Sequence, residues 1–313
     1  MAEHDSAYFD ADAFPGVSII IPVYNDQDHV SALLESLLAQ DYPKDRTEIM
    51  VVDNNSTDSS RDIIQRYPVR FLEEKDIQSS YAARNRGIRA AAHEILAFID
   101  SDCTAVPSWL TEGIRVLRAE HADLAGGKVE FTFASDPSSA ELYDSLMHFN
   151  FEKTIAEKKG TGAGNLFARK RTFDRLGLFP AVRSGGDFQW SRRAMENGMK
   201  VVFAPGAVVR HPARRLREIL QKQIRTGAGY PYQRLAGGHS RLHEFFYLPA
   251  RCICTAVPVR RIRRDIENDG RAILKKRFWR IVWTAWICII VYRLSAWIEW
   301  MKILCGRRNP DDQ

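Results

Sequence analysis

The residues best suited to chemistry are aspartates placed where apolar runs end. Asp100-Ser101-Asp102 follows Ile95–Ile99, and Asp53 follows Ile49–Val52. A hard divalent cation such as Mg2+ or Mn2+ takes oxygen ligands and needs only one or two carboxylates when substrate phosphates complete its shell. Bridging a diphosphate, such an ion would act as a Lewis acid and offset leaving-group charge. Aspartates at strand ends also make turns and cap helices, so the Asp100/Asp102 pair by itself reads equally well as a local turn. Asp187 lies in Gly185-Gly186-Asp187-Phe188-Gln189-Trp190, the setting of a helix N-cap. Two familiar phosphate cradles are missing. No GxGxxG follows the first apolar run and no GxxxxGK[ST] occurs, while Gly160, Gly162 and Gly164 lie beyond the first four runs.

The elements that must hold these residues alternate. Val17–Val23 is a continuous β-branched run, as expected of a strand buried on both faces. An amphipathic stretch, His29–Gln40, follows it. Ile49–Val52, Val69–Leu72 and Ile95–Ile99 read as further strands, with helical segments at Arg61–Tyr67 and Tyr81–Ala92 between them. Strand–helix units of this length predict an α/β fold with a doubly wound, mostly parallel sheet, whose ligands sit outside the carboxyl ends of the strands. Farther on, 138–159 reads as one helix and 160–170 as a glycine-rich loop entering a short strand. Gly185–Asp187 opens another helix, Val201–Arg210 is extended, and the chain from Pro212 onward is helical and basic.

The ordered series VSIIIPVYND, VVDNNSTD, AARNRGI, FIDSD, GAGNLFARK, GGDFQW and VVRH, from about residue 17 to 211, resembles the inverting glycosyltransferases of family 2. The resemblance implies the GT-A type of α/β fold and transfer of a sugar from a nucleotide-diphosphate donor to a hydroxyl. It assigns donor binding to Pro22, Tyr24, Asp53, Arg84, Asn85 and Asp100. Metal binding falls to Asp100, Asp102 and His211, with Mg2+ or Mn2+ as the cofactor. Asp187 becomes the general base, while Gly164, Asn165, Gly186 and Trp190 lie on the acceptor side. Arg193 and Gly198 also fall where the family pattern expects them.

Two positions depart from that pattern. Gly186 stands where the family has a glutamate before the base, and Asn54 replaces the second aspartate of the nucleotide loop. There is no QxxRW signature of processive polymerases, and Gln221–Arg225 echoes it only loosely, which favours single addition. A nucleotidyltransferase would need a basic cluster near the first strand, and VSIIIPVYND offers none. A catalytically silent sugar-nucleotide or nucleic-acid binding module is the rival from another class.

Charge divides the chain. Residues 210–313 hold 22 Lys/Arg against 8 Asp/Glu, whereas the first 209 residues carry 23 against 31. A basic end suggests an anionic partner. Five of seven tryptophans (279, 283, 286, 297 and 300) fall in one segment, on one face at 100° per residue. Ile281–Tyr292 holds 12 uncharged residues, short of the ~20 that span a bilayer, and Arg293 interrupts it. Basic flanks at Lys275–Arg280 and at Lys302, Arg307 and Arg308 suggest a helix lying in a membrane surface. Tryptophans set among aliphatics do not suit base stacking, so no nucleic acid is expected. A helix packed on its own domain or on a dimer partner is the competing reading.

The expected organisation is therefore a tail (1–16), a catalytic domain (17–212, with a nucleotide-binding half 17–102 and an acceptor half 103–212) and a basic helical region (213–313) whose membrane-associating helix covers about 278–304. The acidic start without an apolar core suggests no secretory signal. Five cysteines without a CxxC pair, and with Cys252 and Cys254 too close for an easy disulfide, suggest a reducing compartment. The expected location is the cytoplasmic face of the cell membrane, with a lipid-linked or cell-surface saccharide as acceptor.

Overall fold

The computed structural model describes residues 14–180, 182, 184–236 and 259–306. The acidic N-terminus, Cys252, Cys254, Arg307 and Arg308 lie outside the described residues. Eight strands form one sheet in the order β3-β2-β1-β4-β7-β6-β8-β5. They are β1 (Val17–Val23), β2 (Thr47–Asp53), β3 (Arg70–Glu73), β4 (Ile95–Ile99), β5 (Thr104–Ala105), β6 (Leu124–Thr132), β7 (Asn165–Arg169) and β8 (Val201–Pro212). β1 pairs in parallel with β2 and β4, and β2 with β3. From β7 onward the pairings β4–β7, β6–β7 and β5–β8 are antiparallel. The parallel character expected from sequence thus holds for the first four strands, and the full sheet is mixed.

The chain forms two compact units. The first comprises the described residues up to Lys128, Phe151–Phe179 and Trp190–Arg210; the second comprises Val129–Asn150, Pro180–Gln189 and the residues from His211 on. The last residues of β6 and β8 are counted with the second. It therefore takes in 129–150 and 180–189 as well as the basic C-terminal region.

In the first unit, every residue of β1 and of β4 is buried, which is why neither run alternates and all but Ser18, whose hydroxyl donates to Glu48, are apolar. Each fully buried Ile or Val contributes roughly 1.5–3 kcal/mol. The helices are α1 (Val30–Leu38), α2 (Ser60–Ile64), α3 (Ser80–Ala90) and α4 (Trp109–Ala119). α3 comes close to β1 because position 87 is glycine: a Cβ there would lie 2.5 Å from the side chain of Ile20.

The second unit is helical. The segment 138–159, expected as one helix, is two: α5 (Ser139–Met147) and α6 (Phe151–Ala156), the latter counted with the first unit. His148 is extended and Phe149 has φ 57°, a left-handed conformation that L side chains resist and that ends the helix. A capping box between Ser138 and Glu141 starts α5. After α7 (Lys170–Leu176) and α8 (Gly186–Glu196) come α9 (Leu216–Ala236), α10 (Val259–Asp269), α11 (Ala272–Lys276) and α12 (Phe278–Leu304). α12 packs along α9, where Gly227 admits its backbone: a Cβ at 227 would meet the Tyr292 carbonyl oxygen at 2.2 Å. The inner side of α12 (Ile281, Ala285, Cys288) joins Leu142 of α5 and Ile219 of α9 in one cluster, and Trp300 joins Tyr232 in another.

Candidate active site

Strand order places the site. β1 is flanked by β2 on one side and β4 on the other, so the connections reverse direction between β1 and β4, and the crevice at their carboxyl ends is where such sheets take ligands. The β1–β2 register sets Val23 beside Asp53. Pro22 is buried at the end of β1, and Tyr24 just beyond it is 53% exposed.

Asp53 is 1% exposed. Its Oδ2 accepts from the Ser56 N–H at 3.2 Å and lies 3.7 Å from Arg61 Nε. Its Oδ1 is buried without a hydrogen-bond partner among the described residues. A buried carboxylate oxygen in that state is expensive and calls for a donor from outside the chain. The neighbouring Asn54 explains itself. Its amide donates to the carbonyls of Glu74 (2.9 Å) and Ile77 (2.8 Å), and the Gln78 amide returns a bond to its backbone oxygen (2.8 Å). An aspartate could not donate either bond. Asn54 ties down the 74–78 loop that leads into α3, a role that residue matching alone does not suggest.

Arg84 of α3 is a buried side chain ion-paired with Asp100, and its guanidinium also lies over the Tyr81 ring at 5.7 Å. A solvated helix-face arginine is thereby excluded. Asp100 keeps about a quarter of its side chain exposed (28%) and Asp102 is partly exposed, both in the turn after β4 closed by the Cys103 N–H to the Asp100 carbonyl (3.2 Å). Sequence reasoning missed His29, at the start of α1. Partial burial lowers its pKa, but the hydrogen bond and charge of Asp26 (2.6 Å) and the charge of Asp102 outweigh this and raise it above the ordinary imidazole value.

Among the described residues, no three His, Cys, Asp or Glu side chains form a ready cage for a metal. Two strand-end carboxylates do match the donor set of a hard ion that completes its shell with phosphate and water. Asp100 and Asp102 would hold such an ion.

Three assignments take a different form in the structure. Asn85 joins the backbone of Phe179, donating to its carbonyl (2.9 Å) and accepting its N–H (3.1 Å). Asn165, expected on the acceptor side, is fully buried, with both N–H donors used on the Lys128 and Ala207 carbonyls (2.9 Å each) and its oxygen accepting from Trp109 Nε1 (2.8 Å). It cross-links strands instead of facing a substrate. Trp190, also expected there, is 1% exposed, stacked on Phe173 at 4.2 Å and bonded through Nε1 to the Gly177 carbonyl. It is core. Gly164 and Gly186 are buried, Gly164 before β7 and Gly186 as the first residue of α8.

In the second unit, Asp187 lies in the first turn of α8, partly exposed, with Oδ1 accepting the Phe188 N–H at 2.9 Å. The helix dipole favours a carboxylate there. His211 is fully buried, its ring 4.9 Å from that of Phe149 and 5.7 Å from that of Phe131, so it is no surface histidine. Its Nε2 is 2.7 Å from Arg214 Nη2. Asp144, also fully buried, accepts the Arg214 backbone N–H at 3.0 Å and lies 2.7 Å from His148 Nδ1. Burial pushes the Asp144 carboxyl up, but the His148 hydrogen bond and the Arg214 charge prevail and hold it at about 2. Burial, with the Lys222 charge, pushes the His148 pKa down against the opposing pull of Asp144.

This fold and this strand-end site define a class of sugar transferases, and comparison with known proteins agrees. The sequence model of "Glycosyl transferase family 2" matches residues 18–176. The chain is 35% identical over 282 residues to "Glycosyltransferase AglE" of Haloferax volcanii, covering 88% of this chain and 92% of that protein. It is 36% identical over 172 residues to a poly(ribitol-phosphate) beta-glucosyltransferase of Bacillus spizizenii, covering 50% of this chain but 26% of that protein. Among solved structures, a Pyrobaculum calidifontis mannosyltransferase in complex with GDP-Man and Mn2+ superposes with a TM-score of 0.59 at 18% identity, over 94% of this chain and 88% of that one. TarS 1–349 of S. aureus in complex with UDP-GlcNAc gives 0.53 at 18% identity, over 93% and 92%. The chain belongs to glycosyltransferase family 2 and has the GT-A fold; it is a glycosyltransferase.

Proposed function

We propose that the protein transfers a sugar, with inversion, from a nucleoside diphosphate donor to a hydroxyl of a lipid-linked or cell-surface saccharide, using a divalent metal. The observation that carries this reading is the buried Asp53, whose Oδ1 has no hydrogen-bond partner among the described residues, at the carboxyl end of β2 and in the same unit as the Asp100/Asp102 turn. A nucleoside presents hydroxyl and N–H donors for such an oxygen. Two solved structures that share the fold carry GDP-Man with Mn2+ and UDP-GlcNAc, and one relative is a poly(ribitol-phosphate) glucosyltransferase, which supports the donor class and a polymeric acceptor.

In this mechanism Pro22, Tyr24 and Asp53 bind the nucleoside, while Arg84 orients Asp100. Asp100 and Asp102 would hold the divalent metal, with His211 as the further ligand that the family resemblance implies, and the ion would supply charge neutralisation at the diphosphate. Asp187 accepts the proton of the acceptor hydroxyl. The acceptor oxygen bonds to the anomeric carbon on the face opposite the leaving group, the bond from that carbon to the diphosphate oxygen breaks, and the nucleoside diphosphate departs with the electron pair. One base and one in-line displacement yield inversion.

The membrane partner rests on α12. Trp279 (66%), Trp283, Trp286 and Trp297 are exposed, and Lys275, Lys276 and Arg280 are exposed at its start. The helix is long and apolar enough to cross a bilayer by length and composition. Yet Glu299 on its inner side is buried and accepts from the Tyr232 hydroxyl at 2.9 Å, which suits a helix lying on the cytoplasmic surface of the membrane with one face held by protein.

The test is a thermal-shift panel of nucleoside diphosphates and their sugars with and without Mn2+, on the wild type and on Asp102→Ala. A Mn2+-dependent rise in melting temperature for one nucleotide series, lost in the variant, is expected. Equal stabilisation of both proteins with and without metal would remove the aspartate pair from the reading.

A further inference from the structure

The end of the second unit carries a charge pattern that sugar transfer does not use. α10 is amphipathic: Ile262 and Ile266 are buried in the cluster they share with Leu142, Ile219 and Ile281. At 100° per residue, Arg260 and Arg264 lie on the opposite side of the helix, and both are exposed. Arg263 sits on a flank, with its guanidinium over the Phe278 ring at 5.5 Å. Phe278 in turn meets Trp279 at 5.1 Å, and Trp283 meets Trp286 at 5.3 Å. The arginines of α10 and the exposed tryptophans of α12 therefore border one another through Phe278.

These cations are not neutralised locally. Residues 259–280 hold nine Lys/Arg and three Asp/Glu. Asp265 lies 3.6 Å from Arg261, Asp269 pairs with Arg271, and Arg277 is taken up by Asp136. Arg260, Arg263, Arg264, Lys275, Lys276 and Arg280 make no ion pair among the described residues, and all six are exposed. Glu267 is the exposed carboxylate set against them. A surface of that sign takes an anionic partner. The tryptophans decide which. A soluble polyanion has no use for Trp279, Trp283, Trp286 and Leu294 exposed beside its charges, whereas a bilayer offers phosphates above and an apolar boundary below.

We propose that α10 is a second membrane-binding element, which reads phospholipid headgroups through Arg260, Arg263 and Arg264. Guanidinium forks bond the phosphates of an anionic bilayer, while the tryptophans of α12 enter the boundary beneath them. α10 thus sets the preference for anionic lipid, and α12 supplies apolar anchorage that does not depend on lipid charge. The inference rests on the reading of α12 as membrane-facing and adds to it a separable source of selectivity. Each cation close to an anionic surface raises affinity roughly fivefold at physiological ionic strength, so the three arginines together account for about 100-fold.

The experiment sediments the full chain with vesicles of phosphatidylcholine alone and of phosphatidylcholine mixed with phosphatidylglycerol, in low and high salt. The wild type is compared with Arg260→Gln/Arg263→Gln/Arg264→Gln, with the same three positions changed to Lys, and with Trp279→Ser/Trp283→Ser/Trp286→Ser. Lys44→Gln/Arg66→Gln/Arg89→Gln, at exposed cations of the first unit, is the control for net charge. The glutamine variant should bind the mixed vesicles about 100-fold more weakly, with less dependence on salt and unchanged binding to phosphatidylcholine. The lysine variant should keep most of the affinity, because the charge remains. The tryptophan variant should weaken on both kinds of vesicle, and the control should follow the wild type.

Full binding of the glutamine variant to mixed vesicles, with the tryptophan variant weakened, overturns the role of α10 and leaves the membrane reading of α12 standing. A wild type that sediments with neither kind of vesicle removes that reading itself. An equal loss in the control would make net charge the cause, and a lysine variant as weak as the glutamine one would make the arginines structural; either result sinks the proposal. So does a lipid-free dimer that the glutamine substitutions dissociate, which would assign the face to a second copy of the chain. If the triple glutamine variant melts early because Phe278 loses its cation, Arg260→Gln/Arg264→Gln leaves that contact in place and should weaken anionic binding about 25-fold.

Discussion

The side chain of Asn85 pairs with the backbone of Phe179 as one strand pairs with another, donating at 2.9 Å and accepting at 3.1 Å. Both groups are buried in the first unit, and Phe179 is the last residue before the segment Pro180–Gln189 that carries Asp187. Replacing Asn85 with alanine leaves a buried N–H and a buried C=O without partners, which costs about 1–3 kcal/mol. Urea denaturation should show that loss, with nucleotide affinity falling only slightly. Full stability together with lost nucleotide binding would instead make Asn85 a donor contact.

Asp144 makes stability pH-dependent. Its folded pKa, about 2, lies below the ordinary value of 3.8. A depressed carboxyl stabilises the fold above its unfolded pKa, and the contribution disappears as pH falls from about 4 to 2. The advantage of the wild type over Asp144→Asn, on the order of 2 kcal/mol near neutrality, should shrink across that range. A difference that does not change with pH between 6 and 2.5 contradicts the assignment.

Asp187 separates catalysis from binding. Asp187→Asn retains the oxygen that caps the Phe188 N–H, so the melting temperature should barely move. Transfer should slow by about 10²–10⁴-fold as general-base catalysis is lost, at unchanged donor affinity. Rate, donor affinity and melting temperature measured on one preparation decide the matter; a normal rate removes Asp187 from the mechanism.

The tryptophan face divides between two roles. Of the five tryptophans expected on one face of α12, Trp300 turns inward and is fully buried against Tyr232, while the other four point out. Deleting α12 would strip the cover from Leu142, Tyr143 and Ile219, so truncation tests folding as much as binding. Replacing Trp279, Trp283 and Trp286 with serine should leave the melting temperature within a few degrees and weaken sedimentation with vesicles containing anionic lipid by tenfold or more, since each lost aromatic contact is worth about 1.5–3 kcal/mol. Unaltered sedimentation would assign the face to another partner.

The sequence by itself determined whatever depends on neighbours along the chain. The runs that became β1 and β4 were legible to the residue, because a strand buried on both faces is apolar at nearly every position, the one polar residue, Ser18, having its hydroxyl satisfied by Glu48. The placement of Asp53, Asp100 and Asp102 at or just beyond the carboxyl ends of strands was legible because they end such runs. What the sequence could not decide was where a polar or aromatic side chain spends its bonds. Asn165 and Trp190 carry residue types common in binding sites, and only the tertiary structure shows them sealed by three backbone-directed or ring contacts each. The break at His148–Phe149 was hidden for a related reason: nothing in helical periodicity forbids the helix from continuing, and it ends because Phe149 takes a left-handed backbone and its ring packs on His211. Likewise Arg84, Asp144 and Arg214 look like ordinary surface charges in the sequence. Burial makes each ion pair consequential, and burial is a property of the whole packed chain, set by partners 16 to 70 positions away.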